Sequence, residues 1–153
     1  MSEDETVKQY RPGRWLKTEN AVMSLLTRAG LVPSSYLLET KGRRTGRTRS
    51  NPVTIVEHDD RRWLVAPYGP VAWVRNARAA GRVCLVRRSD RRHYAIREAT
   101  AAEAGPVLRR YVAVATATRK YFRADRDAPV EQFTAEADRH PVFELLPIGP
   151  PAP

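Results

Sequence analysis

The stretch Gly42-Arg-Arg-Thr-Gly-Arg-Thr-Arg-Ser-Asn-Pro52 limits this chain more than any other. Apolar, strand-like runs flank it, Tyr36–Thr40 before and Val53–Val56 after. It therefore reads as the turn of a β-hairpin, with Gly42 and Gly46 free to take positive φ where the chain reverses. Arg43, Arg44, Arg47 and Arg49 are packed into the turn, with Lys41 just before it. Like charges so close repel one another, so the arrangement makes sense when an anion sits among them. Guanidinium groups offer planar, bidentate donors suited to phosphate. Thr45, Thr48 and Ser50 add hydroxyls, and exposed backbone amides can form an anion-binding nest. The competing reading is a solvated basic turn, because a charge run by itself carries no shape.

The remaining chain reads as a small mixed domain. A helix is expected over Glu19–Ala29 with Gly30 as its stop. Strands are expected at Tyr36–Thr40, Pro52–His58, Trp63–Ala66, Val83–Arg88, Arg91–Ala99 and Val142–Leu146. Asp59-Asp60 and Ser89-Asp90 are the hairpin turns between neighbouring strands. Val71–Ala80 reads as a short helix ended by Gly81. Thr100 and Glu103 form a capping box that opens another helix, which Pro106 would bend or restart. Asp127-Ala-Pro129 opens a last helix, and Ala113–Ala128 is ambiguous. About six antiparallel strands with three or four covering helices predict a mainly β, α+β fold, a small β-barrel. Residues 1–18 are expected as a poorly ordered arm, 19–147 as a single domain and 148–153 as a Pro-rich tail.

Lys and Arg total 27 against 17 Asp and Glu, a net charge of +10. This favours an anionic ligand, nucleic acid or an anionic membrane surface. Nucleic acid is disfavoured, because the aromatics are not interleaved with the basic residues as a stacking platform needs. Contact with a membrane surface stays open, but no apolar run approaches spanning length. The single cysteine, Cys84, reads as buried filler, and no metal-ligand pattern is present. Residues 1–14 are polar, without a secretory signal, so a cytoplasmic location is expected. His58, His93 and His140 read as surface or capping residues rather than general bases. Tyr68, Tyr111 and Tyr121 are candidates to give a proton or hydrogen bond to a substrate, Tyr111 and Tyr121 reading first as core or interface residues.

The hairpin, followed by Trp63-Leu-Val-Ala-Pro-Tyr-Gly69 and then Ala72-Trp-Val-Arg-Asn76, resembles the deazaflavin-dependent nitroreductase family. The resemblance implies a split β-barrel that binds coenzyme F420, an 8-hydroxy-5-deazaflavin bearing a phosphate and an oligoglutamate tail. It implies an oxidoreductase that transfers hydride between reduced F420 and an electron-poor acceptor such as a quinone, enone or nitro compound. It places Arg43, Arg44 and Thr45 on the phosphate with Arg49 beside them. The backbone of Ser50, Asn51, Pro52, Val53 and Thr54 would line the cofactor. Val65, Ala66, Pro67 and Tyr68 would lie against the ring. Ala72, Trp73, Val74, Arg75 and Asn76 would close the site, with Trp73 as a wall and Asn76 bonding a ring or ribityl oxygen. The loop Pro67–Val71 is shorter than in better-known members, which bears on the substrate pocket. FMN is the alternative cofactor, since the same hairpin could hold its phosphate. Cofactor or hydrophobic-ligand binding without turnover is the non-enzymatic alternative. A homodimer is expected, because a small barrel leaves apolar faces that a second copy could cover.

Overall fold

The computed structural model describes residues 35–149, so the helix expected over Glu19–Ala29, the arm and the end of the tail lie outside the described residues. Six strands run in order: β1 (Ser35–Lys41), β2 (Thr48–His58), β3 (Arg61–Val65), β4 (Arg82–Arg87), β5 (Asp90–Glu98) and β6 (Val142–Pro147). They close into an antiparallel barrel of order β1-β2-β3-β6-β5-β4. Helix α1 (Ala72–Ala80) follows β3, and α2 (Ala101–Val114) follows β5. A 3-10 turn (Thr116–Tyr121) and the short α3 (Val130–Ala135) complete the chain before β6.

Alternation along the strands makes two cores. Leu38, Val53, Ile55, Leu64, Val83, Leu85, Phe143 and Leu145 point into the barrel, and Trp73, Val74 and Ala77 of α1 join them. The opposite faces of β2 and β3 present Val56, Trp63 and Val65, which α2 covers with Ala104, Val107, Leu108, Tyr111 and Val112. These α2 residues recur every three or four positions, the spacing that puts them on one helical stripe. In β4 the run Val83–Val86 is apolar throughout because both its faces are buried; Cys84 packs outside with Leu37 and Val86, as buried filler.

Turn chemistry explains most of the joints. Asp59 and Asp60 both take positive φ (52° and 57°), matching a two-residue turn whose twist suits the strands. The β4–β5 turn is Arg88-Ser89, one residue earlier than the sequence suggested, with Arg88 at φ 56° and Asp90 already in β5. Gly81 ends α1 in the left-handed conformation. Thr100 and Glu103 form the expected reciprocal capping box. Pro106 neither restarts nor ends α2: the helix continues to Val114, giving up only the bond that the proline nitrogen cannot donate. The ambiguous segment resolves into the 3-10 turn and irregular chain.

One difference bears on function. β2 begins at Thr48, four residues before the expected start, so Arg49, Ser50 and Asn51 belong to a strand rather than to the turn. Thr48–Thr54 pairs with β1 alone, and pairing with β3 starts at Ile55. Among the described residues no strand pairs with the other edge of Thr48–Thr54. Pro52 is tolerated there because a strand edge without a partner needs no N–H.

Candidate functional site

The basic turn spans Gly42 to Arg47 and is closed by backbone bonds, Gly42 N–H to the Arg47 carbonyl (2.7 Å) and Gly46 N–H to the Gly42 carbonyl (2.9 Å). The Arg47 N–H donates to Thr45 Oγ1 at 3.2 Å. Gly46 has φ +70°, as expected. Gly42 does not use positive φ; it is needed for space, since a Cβ there would lie 2.9 Å from Thr45 Oγ1 and 3.0 Å from the Arg47 carbonyl oxygen. Among the described residues the amides of Arg44 and Thr45 have no acceptor.

Asn76 seats this turn on α1. Its Oδ1 accepts from the Arg43 backbone N–H (3.3 Å) and from Arg43 Nη1 (3.0 Å). Its Nδ2 donates to Thr40 Oγ1 at 3.5 Å. Asn76 is 3% exposed, so the contact is built into the fold. Arg43 is thus oriented by a neutral acceptor and keeps its charge. Arg44, Arg47 and Arg49 make no ion pair among the described residues. Elsewhere carboxylates do neutralise arginines: Glu39 takes Arg91, and Glu103 and Glu144 both take Arg97. Among the described residues the turn is a patch of guanidinium groups without carboxylate partners beside backbone amides without acceptors, the donor set that suits a phosphate.

The residues after the turn divide by face. Asn51 stands opposite Leu38 and Val53 opposite Tyr36, on the barrel-interior side, and Val53 is buried there. Ser50, Pro52 and Thr54 alternate to the outer face, Ser50 opposite Glu39. Arg49, opposite Thr40, shares the face on which Thr40 meets Asn76. Val65, Ala66 and Pro67 are buried, while Tyr68 is 37% exposed. In α1, Ala72 and Arg75 are exposed, whereas Trp73 and Val74 sit inside the barrel, Trp73 with its ring 6.3 Å from that of Phe143. The Trp73 side chain is part of the core. Asn76 spends both its polar atoms on Arg43 and Thr40.

The three tyrosines far apart in sequence converge. The rings of Tyr68 and Tyr121 meet edge to face at 4.9 Å. Tyr111 lies beneath in the core, its hydroxyl 3.3 Å from that of Thr118. Burial, and secondarily the nearby Tyr68, pushes the Tyr111 hydroxyl above its ordinary range, so it stays protonated. His58 is half-buried beside Asp59 and His93 is exposed. His140 departs from the surface or capping role expected of it: it is 3% exposed and stacked on Phe122. Thr40 and the Glu136–His140 pair escaped the sequence reading. The i, i+4 spacing of Glu136 and His140 was the available signal.

The fold is a six-stranded antiparallel closed barrel whose first hairpin carries an exposed, arginine-rich turn. Residues 11–134 match the F420H(2)-dependent quinone reductase family, and the chain belongs to that family. It is therefore an oxidoreductase whose cofactor is coenzyme F420. Solved structures share the fold. An F420-H2 dependent reductase, FDR-A, superposes with a TM-score of 0.50 at 21% identity, over 74% of this chain and 94% of that one. Protein Atu2129 from Agrobacterium tumefaciens str. C58 gives 0.56 at 14%, over 92% and 58%. A structure described as a domain-swapped dimer gives 0.51 at 21%, over 84% and 93%. No curated protein matches the chain. No helix among the described residues is long and apolar enough to cross a membrane.

Proposed function

We propose that this protein reduces a quinone, or an enone or nitro compound of similar electron demand, with reduced F420. The observation that carries the reading is the Arg43–Asn76 contact, which seats an unneutralised basic turn on α1. Arg43, Arg44 and Thr45, with Arg49 beside them, hold the cofactor's phosphate through guanidinium and amide donors. Ser50 to Thr54 offer backbone along the open edge of β2. The Pro67–Tyr68 stretch borders the ring, and Asn76 acts by orienting Arg43. Bound reduced F420 supplies a hydride, two electrons in one step. The acceptor then needs a proton, and the hydroxyls of Tyr68 and Tyr121, whose rings meet at 4.9 Å beside the Pro67–Tyr68 stretch, are the candidates to give a hydrogen bond or relay one from solvent. The protein's share is binding, orientation and exclusion of water. The neighbour described as a domain-swapped dimer supports pairing of two copies; a monomer by light scattering at micromolar concentration overturns that part.

The test is a fluorescence titration with oxidised F420 beside FMN, on the wild type and on the Arg43→Ala/Arg44→Ala double variant. Saturable F420 binding, weak FMN binding and a large loss in the variant are expected, followed by oxidation of reduced F420 on adding a benzoquinone. Unchanged affinity in the double variant overturns the phosphate assignment. Tight binding with no turnover on a panel of quinones, enones and nitro compounds overturns the reductase assignment in favour of cofactor binding alone.

A further inference from the structure

Behind the Pro67–Val71 loop lies a buried pair that the proposed reaction does not use. His140 is 3% exposed and Glu136 5%. His140 Nδ1 lies 2.9 Å from the Pro67 carbonyl oxygen. A carbonyl only accepts, so Nδ1 carries the proton and donates it. The imidazole stacks on Phe122 with ring centroids 3.9 Å apart. Glu136 accepts from the backbone N–H groups of Arg123 (2.7 Å) and Ala124 (2.8 Å), tying the same segment down. Nε2 of His140 has no hydrogen-bond partner, with Glu136 Oε1 3.6 Å away. Burial lowers the imidazole pKa, which favours this neutral form. The loop is held at one further point, where Ala66 N–H donates to the Pro141 carbonyl (2.8 Å), and Gly69, at φ +88°, passes so close to Arg139 that a Cβ there would lie 3.3 Å from its carbonyl oxygen.

His140 touches Pro67 and Phe122, and each is the chain neighbour of one of the two tyrosines whose rings meet, Tyr68 and Tyr121. We propose that His140 is a positioning residue for the acceptor side of the site, fixing Tyr68 against Tyr121 by holding the Pro67 carbonyl with Nδ1 and Phe122 with its ring. This rests on the reductase reading. A neutral imidazole supplies a flat apolar face and one directed donor together. Phenylalanine would supply the face alone, and asparagine a donor near the Nδ1 position alone.

Two variants of the full chain separate these contributions. His140→Phe keeps the stack and strands a buried carbonyl, while His140→Asn keeps the donor. For His140→Phe, F420 affinity is expected within about twofold of wild type, and the KM for a water-soluble benzoquinone is expected to rise about tenfold, more than kcat falls, the size of effect a lost directed hydrogen bond gives. The backbone amides of Tyr68, Gly69 and Val71 and those at 121–124 should exchange faster in the same variant. His140→Asn should bring both KM and exchange most of the way back. Unchanged KM and exchange in His140→Phe, or equal losses in the two variants, overturns the proposal. If the wild type turns over no acceptor, the reductase reading falls, and exchange alone decides the positioning role: faster in His140→Phe and restored in His140→Asn supports it, unchanged overturns it.

Discussion

Asn76→Asp tests whether the charge of Arg43 is what the turn contributes. The substitution is isosteric and keeps an oxygen where Asn76 Oδ1 now accepts from Arg43 at 3.0 and 3.3 Å. It turns that oxygen into half of a carboxylate. The donor to Thr40 is lost, but that contact is 3.5 Å long, and the Thr40 hydroxyl can rotate to donate instead. Stability should therefore hold, because the new charge forms beside its partner. The guanidinium, in contrast, is neutralised before any phosphate arrives. A hydrogen bond to a charged group contributes about 1.5–3 kcal/mol. Removing one such bond from the phosphate should cost about 2 kcal/mol, roughly thirtyfold in F420 affinity. The loss should persist as ionic strength rises, since a pair about 3 Å apart at a buried position is screened much less than exposed charges a Debye length apart. Asn76→Ala is the control: it removes the acceptor without adding charge, deletes two side-chain contacts and leaves a gap at a buried position, so it should lower stability by about 1–3 kcal/mol. The assay is the F420 titration at low and high salt, with thermal unfolding alongside. If Asn76→Asp binds F420 within twofold of wild type at low salt while unfolding at the same temperature, Arg43 is not on the phosphate.

Two further predictions concern the scaffold. A Cβ at Gly105 would lie 2.2 Å from Thr134 Oγ1, so Gly105→Ala should destabilise the α2–α3 contact by about 1–3 kcal/mol despite alanine's better helix propensity. Denaturant unfolding should show most of that cost vanish in a Thr134→Ala background, and equal costs in the two backgrounds would remove the steric explanation. The Glu103 carboxyl is held down to about 2, first by Arg97 and then by the Thr100 amide, against an ordinary 4.5. Its folded pKa is depressed, so its contribution is complete above about pH 4.5 and lost as pH falls towards 2. Unfolding temperatures measured from pH 5 down to 2 should fall less steeply in Glu103→Gln, and parallel curves would refute the coupling.

Hairpins and caps were legible because their signals are local. Asp59-Asp60, Gly81 and Thr100 with Glu103 each impose a backbone choice that does not depend on the rest of the fold. The start of β2 lies earlier than expected because Pro52 reads as a strand boundary, and only the register shows that, among the described residues, one edge there lacks a partner strand. The position of β6 between β3 and β5 follows from long-range pairing that no local pattern encodes. The charge of the turn was visible in the sequence, but its anchor was not: Arg43 and Asn76 are separated by 33 positions, and the spacing carries no period. His140 misled because histidine is ordinarily at or near the surface, and burial became clear only with Phe122 and the Pro67 carbonyl in place.

Among the described residues, Thr48–Thr54 of β2 leaves one strand edge without a partner, and that bears on self-association. A bare strand edge invites a second chain to add itself, the first step towards fibres. Here an incoming strand would lose a ladder bond at Pro52, which has no N–H. It would also approach Arg49 and the neighbouring turn arginines, which repel the same residues on another copy. The edge can stay open for a small molecule's polar atoms while remaining a poor template for polymerisation. Replacing Pro52 and Arg49 together with β-branched residues would trade that colloidal safety for a continuous sticky margin.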